Sequence, residues 1–168
     1  MRTVLAALIL PFALASCGLA SIDVPINGKA TIEADPTNTS VKGFDLSIDK
    51  MTEIDIQEQK AFKKSGFTMD DVKSLELRSL KVKSVDGEPL DFIDDTIQFF
   101  VESTDLEKKL VASGKVAPGD TSLTLETFKV GLHEYAKSPM TFSAKVDRKG
   151  PETDREIEVK AVVHIDLL

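Results

Sequence analysis

The chain contains only two histidines, His133 and His164, and His133 stands directly before Glu134. A zinc protease helix carries a second histidine one turn after its first, because both imidazoles must face one metal ion. Here Lys137 occupies that position, and His164 lies far along the chain on the polar side of an alternating stretch. The sequence therefore predicts no zinc centre and no metal catalysis.

The densest group of carboxylates lies between positions 86 and 95. Its members are Asp86, Glu88, Asp91, Asp94 and Asp95. Oxygen-rich loops can bind calcium, which makes Asp91, Asp94 and Asp95 candidate ligands. The spacing differs from an EF-hand loop, whose glycine is the sixth residue, because Gly87 directly follows Asp86. The simpler interpretation is a set of solvated carboxylates in turns at strand ends.

Motifs for other chemistries are missing from the sequence. It has no Gly-x-Ser-x-Gly and no glycine-rich phosphate loop. The paired carboxylates of a glycosidase meet only in space, so the sequence leaves them open. Tryptophan is absent and Tyr135 is the only tyrosine, which disfavours a surface that stacks on sugar rings. We therefore predict a protein that is not an enzyme and uses no cofactor.

The only cysteine, Cys17, follows a short apolar segment. Arg2 precedes an apolar run from Val4 to Leu14, and small residues then lead to Cys17. This is the layout of a secretory signal. The run is too short to span a bilayer and contains Pro11. An ordinary signal, with Cys17 a chance residue near the cleavage site, is the simpler alternative.

The tetrapeptide Leu14-Ala15-Ser16-Cys17 resembles the lipobox of bacterial lipoprotein precursors. The resemblance implies cleavage before Cys17, a diacylglyceryl group on its thiol and a further acyl chain on its amine. Two or three chains hold a protein firmly, whereas one gives reversible binding. In enteric bacteria an aspartate directly after the lipidated cysteine tends to keep a lipoprotein in the inner membrane. Here Gly18 occupies that position, so the resemblance favours the outer membrane. We expect an exported protein anchored in the bacterial envelope.

The charge balance argues against several partners. Among 168 residues there are 21 Lys and Arg against 28 Asp and Glu, a formal net charge of −7. Nucleic acid is disfavoured because binding its phosphates requires clustered cations, and attachment to anionic lipid by a basic patch is disfavoured for the same reason. Membrane contact is therefore expected to come from lipid on Cys17.

Alternation of apolar and polar residues predicts most of the elements that would position these groups. The stretches run from Ser21 to Ala34, around Phe44 to Ile48, from Leu75 to Val82, from Thr96 to Ser103, from Glu107 to Ala112, from Thr121 to Lys129, from Met140 to Val146 and from Ile157 to Leu167. Pro25 predicts that the first is an edge strand, although Asn27-Gly28 leaves a hairpin open. A change of parity at Arg78-Ser79 predicts a β-bulge.

Two short segments lack strand alternation. Gln57 to Lys64 predicts a short polar helix that ends at Ser65-Gly66, and Thr68 to Asp71 predicts an N-capped turn.

Phe99 and Phe100 are adjacent, so one of the two rings must face outward. The helix at 57–64 is expected to cover that ring, and an exposed contact surface is the alternative. The predicted fold is mostly β, an antiparallel β-sandwich of about eight strands, Ig-like or jelly-roll-like, with one or two short helices.

These observations divide the chain into a signal peptide at 1–16, a lipidated tether at 17–20 and a sandwich domain at 21–168. The lipobox resemblance covers residues 1–18 only and implies location, not activity. We expect a non-enzymatic binding, adhesion or assembly module that contacts an envelope protein through edge strands. The alternative is a small-ligand or carbohydrate-binding lipoprotein, calcium-assisted through Asp91, Asp94 and Asp95.

Overall fold

Alternating residues form strands with one buried face in a computed structural model that describes residues 20–35, 37 and 39–168. The strands are β1 (Ser21–Ile32), β2 (Ser40–Leu46), β3 (Val72–Ser84), β4 (Ile93–Ser103), β5 (Leu106–Lys115), β6 (Ser122–Thr127), β7 (Met140–Lys149) and β8 (Arg155–Leu167). One α-helix, α1 (Lys60–Ser65), and 3-10 turns at Met69–Asp71 and Tyr135–Lys137 complete the elements. Within these ranges no helix has the length and apolar character needed to cross a membrane.

The strands are antiparallel and follow the order β1-β8-β3-β6-β5-β4-β7-β2. Four strands form each layer, β1-β8-β3-β6 and β5-β4-β7-β2. A short β5–β6 pairing, Ala112 with Thr127 and Ser113 with Glu126, joins the layers along one side. This is the strand order of a jelly roll. The predicted mostly-β antiparallel fold is confirmed, and the order selects the jelly-roll alternative over the Ig-like one.

Side chains from both layers form one apolar core between them. Phe99 of β4, Phe142 of β7 and Leu80 of β3 are fully buried within it. In β3 the predicted bulge is present, because the pairing with β8 shifts register between Leu77 and Ser79. The extra residue keeps the apolar residues on both sides of the shift on the core face.

β1 lies at one end of the strand order, as Pro25 predicts. It is a single strand, so the Asn27-Gly28 hairpin is excluded. The backbone N–H of Asp49 donates to the carbonyl oxygen of Lys29 at 2.8 Å. Lys29 therefore directs its backbone N–H and C=O away from β8. Pro25 lies four residues earlier in an unbroken register, so its backbone groups point the same way as those of Lys29. The N–H that proline lacks would point outward, so no ladder hydrogen bond is lost.

The sandwich is open between its two edge strands, and residues 48–56 cross this opening. We call this stretch the crossing segment. Besides the bond from Asp49 to β1, Ile54 donates its N–H to the carbonyl of Met140 at 2.7 Å, and Phe142 donates to the carbonyl of Met51 at 2.7 Å. Four apolar side chains of the segment are buried: Ile48, Met51, Ile54 and Ile56. The crossing segment thus closes the core.

α1 begins three residues later than predicted. The Asp55 carboxylate accepts the backbone N–H of Gln57 at 2.8 Å, which holds the preceding residues in a turn. Gly66, with φ of 77°, ends the helix in the left-handed conformation. The predicted cap at Thr68 is confirmed by a reciprocal capping box with Asp71.

Gly28 provides a test of the closure. A Cβ at this position would lie 2.6 Å from the carbonyl oxygen of Asp49 and 2.6 Å from Cγ2 of Ile48. We expect Gly28→Ala to lower the free energy of unfolding by about 1–3 kcal/mol, because the crossing segment must shift outward. Urea denaturation followed by circular dichroism measures this loss.

Gly131→Ala is the matched control, because a Cβ there meets no atom within 4 Å. Its unfolding free energy is expected to change by less than about 0.5 kcal/mol. Equal losses in both variants would show that contact with the crossing segment is not the cause.

Candidate functional site

The strand connections lie at two opposite ends of the sandwich. The β1–β2, β3–β4, β5–β6 and β7–β8 connections lie together, and we call this the loop end. Ala20 lies at the other end, where its carbonyl accepts the N–H of Leu167 at 2.9 Å. The β2–β3, β4–β5 and β6–β7 connections share that end, which we call the N-terminal end. The candidate residues singled out in the sequence lie at both ends: the acids at 91–95 at the loop end, and the His133-Glu134 pair on the β6–β7 connection at the N-terminal end.

The acidic residues at 91–95 lie at the loop end and are engaged by lysines. Asp94 pairs with Lys149 at 2.9 Å, and Asp95 pairs with Lys115 at 2.9 Å. The hydrogen bond from Lys115 lowers the pKa of Asp95, and the bond to Asp94 raises the pKa of Lys149. Two of the three candidate calcium ligands are thus already bound to cations.

Across the described ranges, no group of three or more His, Cys, Asp or Glu side chains has a geometry able to hold a metal ion. Asp91, Asp94 and Asp95 line a shared depression but do not converge on one point. Asp94 and Asp95 lie in the first residues of β4, and each carboxylate faces a lysine ammonium.

Two adjacent clefts open at the loop end. The larger has a volume of about 560 Å³ and is lined by Asp35, Asp91, Phe92, Lys149, Gly150, Pro151, Glu152, Thr153 and Arg155. The second, of about 400 Å³, shares Asp91 and Lys149 with it. Both volumes fall within the range of small-molecule sites. The clefts bring together both signs of charge, so they suit a polar ligand or a polar protein surface.

The β7–β8 hairpin forms the wall of the larger cleft. The backbone N–H of Asp35 donates to the carbonyl of Pro151 at 2.9 Å. A Cβ at Gly150 would lie 2.3 Å from Cβ of Asp35, so only glycine permits this approach. Arg155 extends to Asp86, with Nη1 and Oδ2 3.1 Å apart. The sequence analysis assigned this hairpin no role in a site, although Gly150-Pro151 directly after Arg148 and Lys149 was a local signal.

The His133-Glu134 pair does not form a reactive centre. Lys137, which stands where a zinc ligand would be needed, binds the Glu134 carboxylate at 2.7 Å and lowers its pKa. His133 lies on the β6–β7 connection, whereas His164 lies on β8. The two histidines therefore belong to different elements of the fold.

His164 lies on the outer face of its layer, as its parity predicts, between two carboxylates. Its Nδ1 is 2.7 Å from Oδ1 of Asp23 on β1, and its Nε2 is 3.3 Å from Oδ1 of Asp166. Arg78 of β3 binds the other oxygen of Asp23 at 2.8 Å, and the Ser74 hydroxyl donates to Asp166 at 2.6 Å. We call these five residues the His164 network.

The His164 network lowers the pKa values of its acids. For Asp23 the main cause is the hydrogen bond with His164, followed by the bond from Arg78. For Asp166 the main cause is the hydrogen bond from Ser74. Three strands contribute these residues, so the sequence alone could not identify the set before the register was known. The arrangement stabilises the charged forms of Asp23 and Asp166.

Phe100 lies on the outer face of the second layer, directly after buried Phe99. The β4–β5 pairing shifts register between these two residues. The ammonium of Lys108 lies 5.2 Å from the Phe100 ring centroid and 3.5 Å from the Asp45 carboxylate. The expected cover, the helix at 57–64, is wrong: α1 packs against β1 instead. Phe100 is half-buried beneath a cation.

Cys17 lies outside the described residues, so its lipidation stays a prediction. The same is true of the signal peptide at 1–16.

Comparisons with known proteins yield structures alone. No protein-family model and no curated protein sequence matches the chain. Among solved structures, the Cyanophage Pam1 capsid has a TM-score of 0.41 and 11% identity, covering 98% of this chain and 96% of that chain. The Triatoma virus empty capsid has a TM-score of 0.41 and 10% identity, covering 85% and 86%. The decameric BFDV capsid protein has a TM-score of 0.38 and 7% identity, covering 88% and 99%. At these values the similarity supports no statement about function.

The His164 network predicts how stability depends on pH. The ordinary pKa of an aspartate is 3.8, and that of Asp23 is lower in the folded protein. The stabilisation from its charged form is therefore complete above the ordinary pKa and is lost as the pH falls through the lower one. We expect Asp23→Asn to flatten the loss of unfolding free energy between neutral and strongly acidic pH.

Urea denaturation at a series of pH values measures this slope, with Asp105→Asn on the β4–β5 turn as the control. The control is expected to retain the wild-type pH dependence. If Asp23→Asn and the wild type lose stability in parallel on acidification, the network does not contribute as described.

Proposed function

We propose that this chain is a lipid-anchored protein of the bacterial envelope whose jelly-roll domain is a non-enzymatic binding module. The observation that carries the proposal is the sequence Leu14-Ala15-Ser16-Cys17 only four residues before β1 begins at Ser21. Acylation of Cys17 would hold the domain close to a bilayer, because so few residues separate the lipid from the folded chain.

The two ends of the sandwich support a division of roles. Ala20 marks the N-terminal end, and two clefts of about 560 and 400 Å³ lie at the loop end. β3, with 13 residues, runs between these ends; at ~3.3 Å per residue a strand of this length spans roughly 40 Å. A lipid at Cys17 would therefore present the loop end away from the membrane, where a partner can reach it.

The edge strands are less suitable contact sites than the sequence led us to expect. Pro25 removes an outward N–H from β1, and the crossing segment binds the carbonyl of Lys29. β2 is short and irregular, since its pairing with β7 shifts between Val41 and Phe44. Both features are common protections of sheet edges. The loop end is the surface that we assign to partner binding.

A second candidate function is binding of a small polar ligand, such as a carbohydrate, in the 560 Å³ cleft. The volume favours it. The lysine partners of Asp94 and Asp95 disfavour its calcium-assisted form. The non-enzymatic character stays a prediction from the sequence, which has no Gly-x-Ser-x-Gly and no glycine-rich phosphate loop.

The anchor is tested by replacing Cys17. When the full chain is expressed in an enteric bacterium, the wild-type protein is expected in the membrane fraction, with acyl chains on its first mature residue by mass spectrometry. Cys17→Ser removes the acceptor thiol, so we expect loss of the lipid mass and recovery of most of the protein in the soluble fraction. Ser21→Ala, four residues later, is the control and is expected to remain membrane-bound. Wild-type protein with an unmodified thiol would refute the anchor.

The class of ligand is tested at the loop end. A photo-crosslinking amino acid at Thr153, which lines the larger cleft, is expected to capture one envelope protein reproducibly. The same amino acid at exposed Glu126 on β6 is the control and is expected to give no specific product.

The second candidate predicts a different outcome for the purified protein. A shift of the thermal midpoint with a glycan or calcium, with no crosslinked protein at Thr153, would replace the partner-binding proposal with small-ligand binding. We expect no saturable heat when calcium is titrated at millimolar concentration, since lysines already engage Asp94 and Asp95.

A further inference from the structure

Three large apolar side chains are exposed in the described part of the chain: Phe67 at 38%, Val85 at 46% and Leu168 at 80%. Two of them lie at the N-terminal end. Leu168 donates its N–H to the carbonyl of Asp71 at 2.9 Å, and Asp71 caps the turn that begins at Thr68, next to Phe67. Val85 follows β3 at the loop end.

The position of Phe67 is fixed by local structure. Gly66 turns the chain in the left-handed conformation, and the N–H of Phe67 donates to the Ser65 hydroxyl at 3.3 Å. The capping box at Thr68 follows directly. The ring is therefore displayed from a defined turn rather than from a long loop.

The short connection to Cys17 fixes which end of the domain can approach a bilayer. Ala20 is hydrogen-bonded to Leu167, and Cys17 lies three residues earlier. Three residues span at most ~11 Å. An acyl anchor places the atoms that carry it near the boundary between headgroups and acyl chains. A lipidated Cys17 therefore keeps the N-terminal end within reach of the headgroup layer.

We propose that the N-terminal end is a membrane-docking surface, in which Phe67 and Leu168 enter the headgroup region of the bilayer. This inference rests on the proposed lipidation of Cys17. Charge is not assigned a role in the docking, because Lys63, on the helix that precedes Phe67, is already paired with Glu58. The contact is apolar and is formed only after the lipid has brought the surface to the membrane.

The test uses the absence of tryptophan and the presence of a single cysteine. Phe67→Trp and Val85→Trp each introduce one fluorescent reporter at an exposed apolar position, at opposite ends of the domain. The chain from Cys17 to Leu168 is coupled through its thiol to a maleimide lipid in phosphatidylcholine vesicles. This chain contains every residue of the apolar core, which extends from Val24 to Leu167.

We expect the Phe67→Trp emission to shift to shorter wavelength on coupling and to lose about half its intensity to brominated phosphatidylcholine. The Val85→Trp emission is expected to stay unchanged, and high salt is expected to alter neither result. Equal quenching of both reporters, quenching of Val85→Trp alone, or quenching of neither would overturn the docking surface. Circular dichroism of both variants checks that the fold is retained.

This outcome is separate from that of the anchor itself. Chemical coupling supplies the lipid whether or not cells do, so an unmodified Cys17 in the cellular protein refutes the proposed function while the vesicle result still reports the docking surface. Conversely, an acylated cellular protein with no quenching at position 67 retains the anchor and excludes docking through this end.

Discussion

The fold depends on closing an eight-stranded sheet that pairs with itself along only one side. β5 and β6 join the layers through two residue pairs. At the other side, β1 and β2 end the strand order and do not pair with each other. Apolar faces brought together in this way would remain open to water along the unpaired side. The crossing segment solves this by inserting four buried apolar side chains while its backbone bonds to both layers.

This closure explains why one residue of an edge strand must be glycine. Gly28 lies where the crossing segment meets β1, and the carbonyl of Asp49 approaches it too closely for any side chain. With the core closed, the strands form a rigid scaffold whose two ends differ only in their connections. Recognition on such scaffolds usually resides in these connections. The loop end carries the clefts, and the proposed lipid attachment would lie beside the N-terminal end.

Much of this architecture follows from sequence, because period-two alternation reports directly on a one-sided strand. The edge position of β1, the bulge beside Arg78 and the cap at Thr68 each followed from a residue whose backbone chemistry admits few alternatives. The start of α1 was missed because the Asp55 side chain competes for a backbone N–H. The order of the strands was not predictable, since the pairing partner of a strand leaves little trace in its own residues.

The candidate site was less accessible to sequence reasoning for the same physical reason. Asp94 and Asp95 were recognisable as acids, but their lysine partners lie on β7 and β5, and the ion pairs change what those acids can bind. The His164 network likewise combines residues from three strands. Local spacing identifies motifs in one helix or loop, whereas these groups meet only through the register of the sheet.

Pro25 affects how copies of this domain behave beside one another. A sheet that ends in a long strand offers a template on which a second chain can add, and the addition can repeat into a fibre. In β1 the ring of Pro25 interrupts that template among the outward-facing residues, and the crossing segment already occupies the carbonyl of Lys29. Neighbouring molecules can therefore be crowded onto a two-dimensional surface without polymerising through their longest free edge.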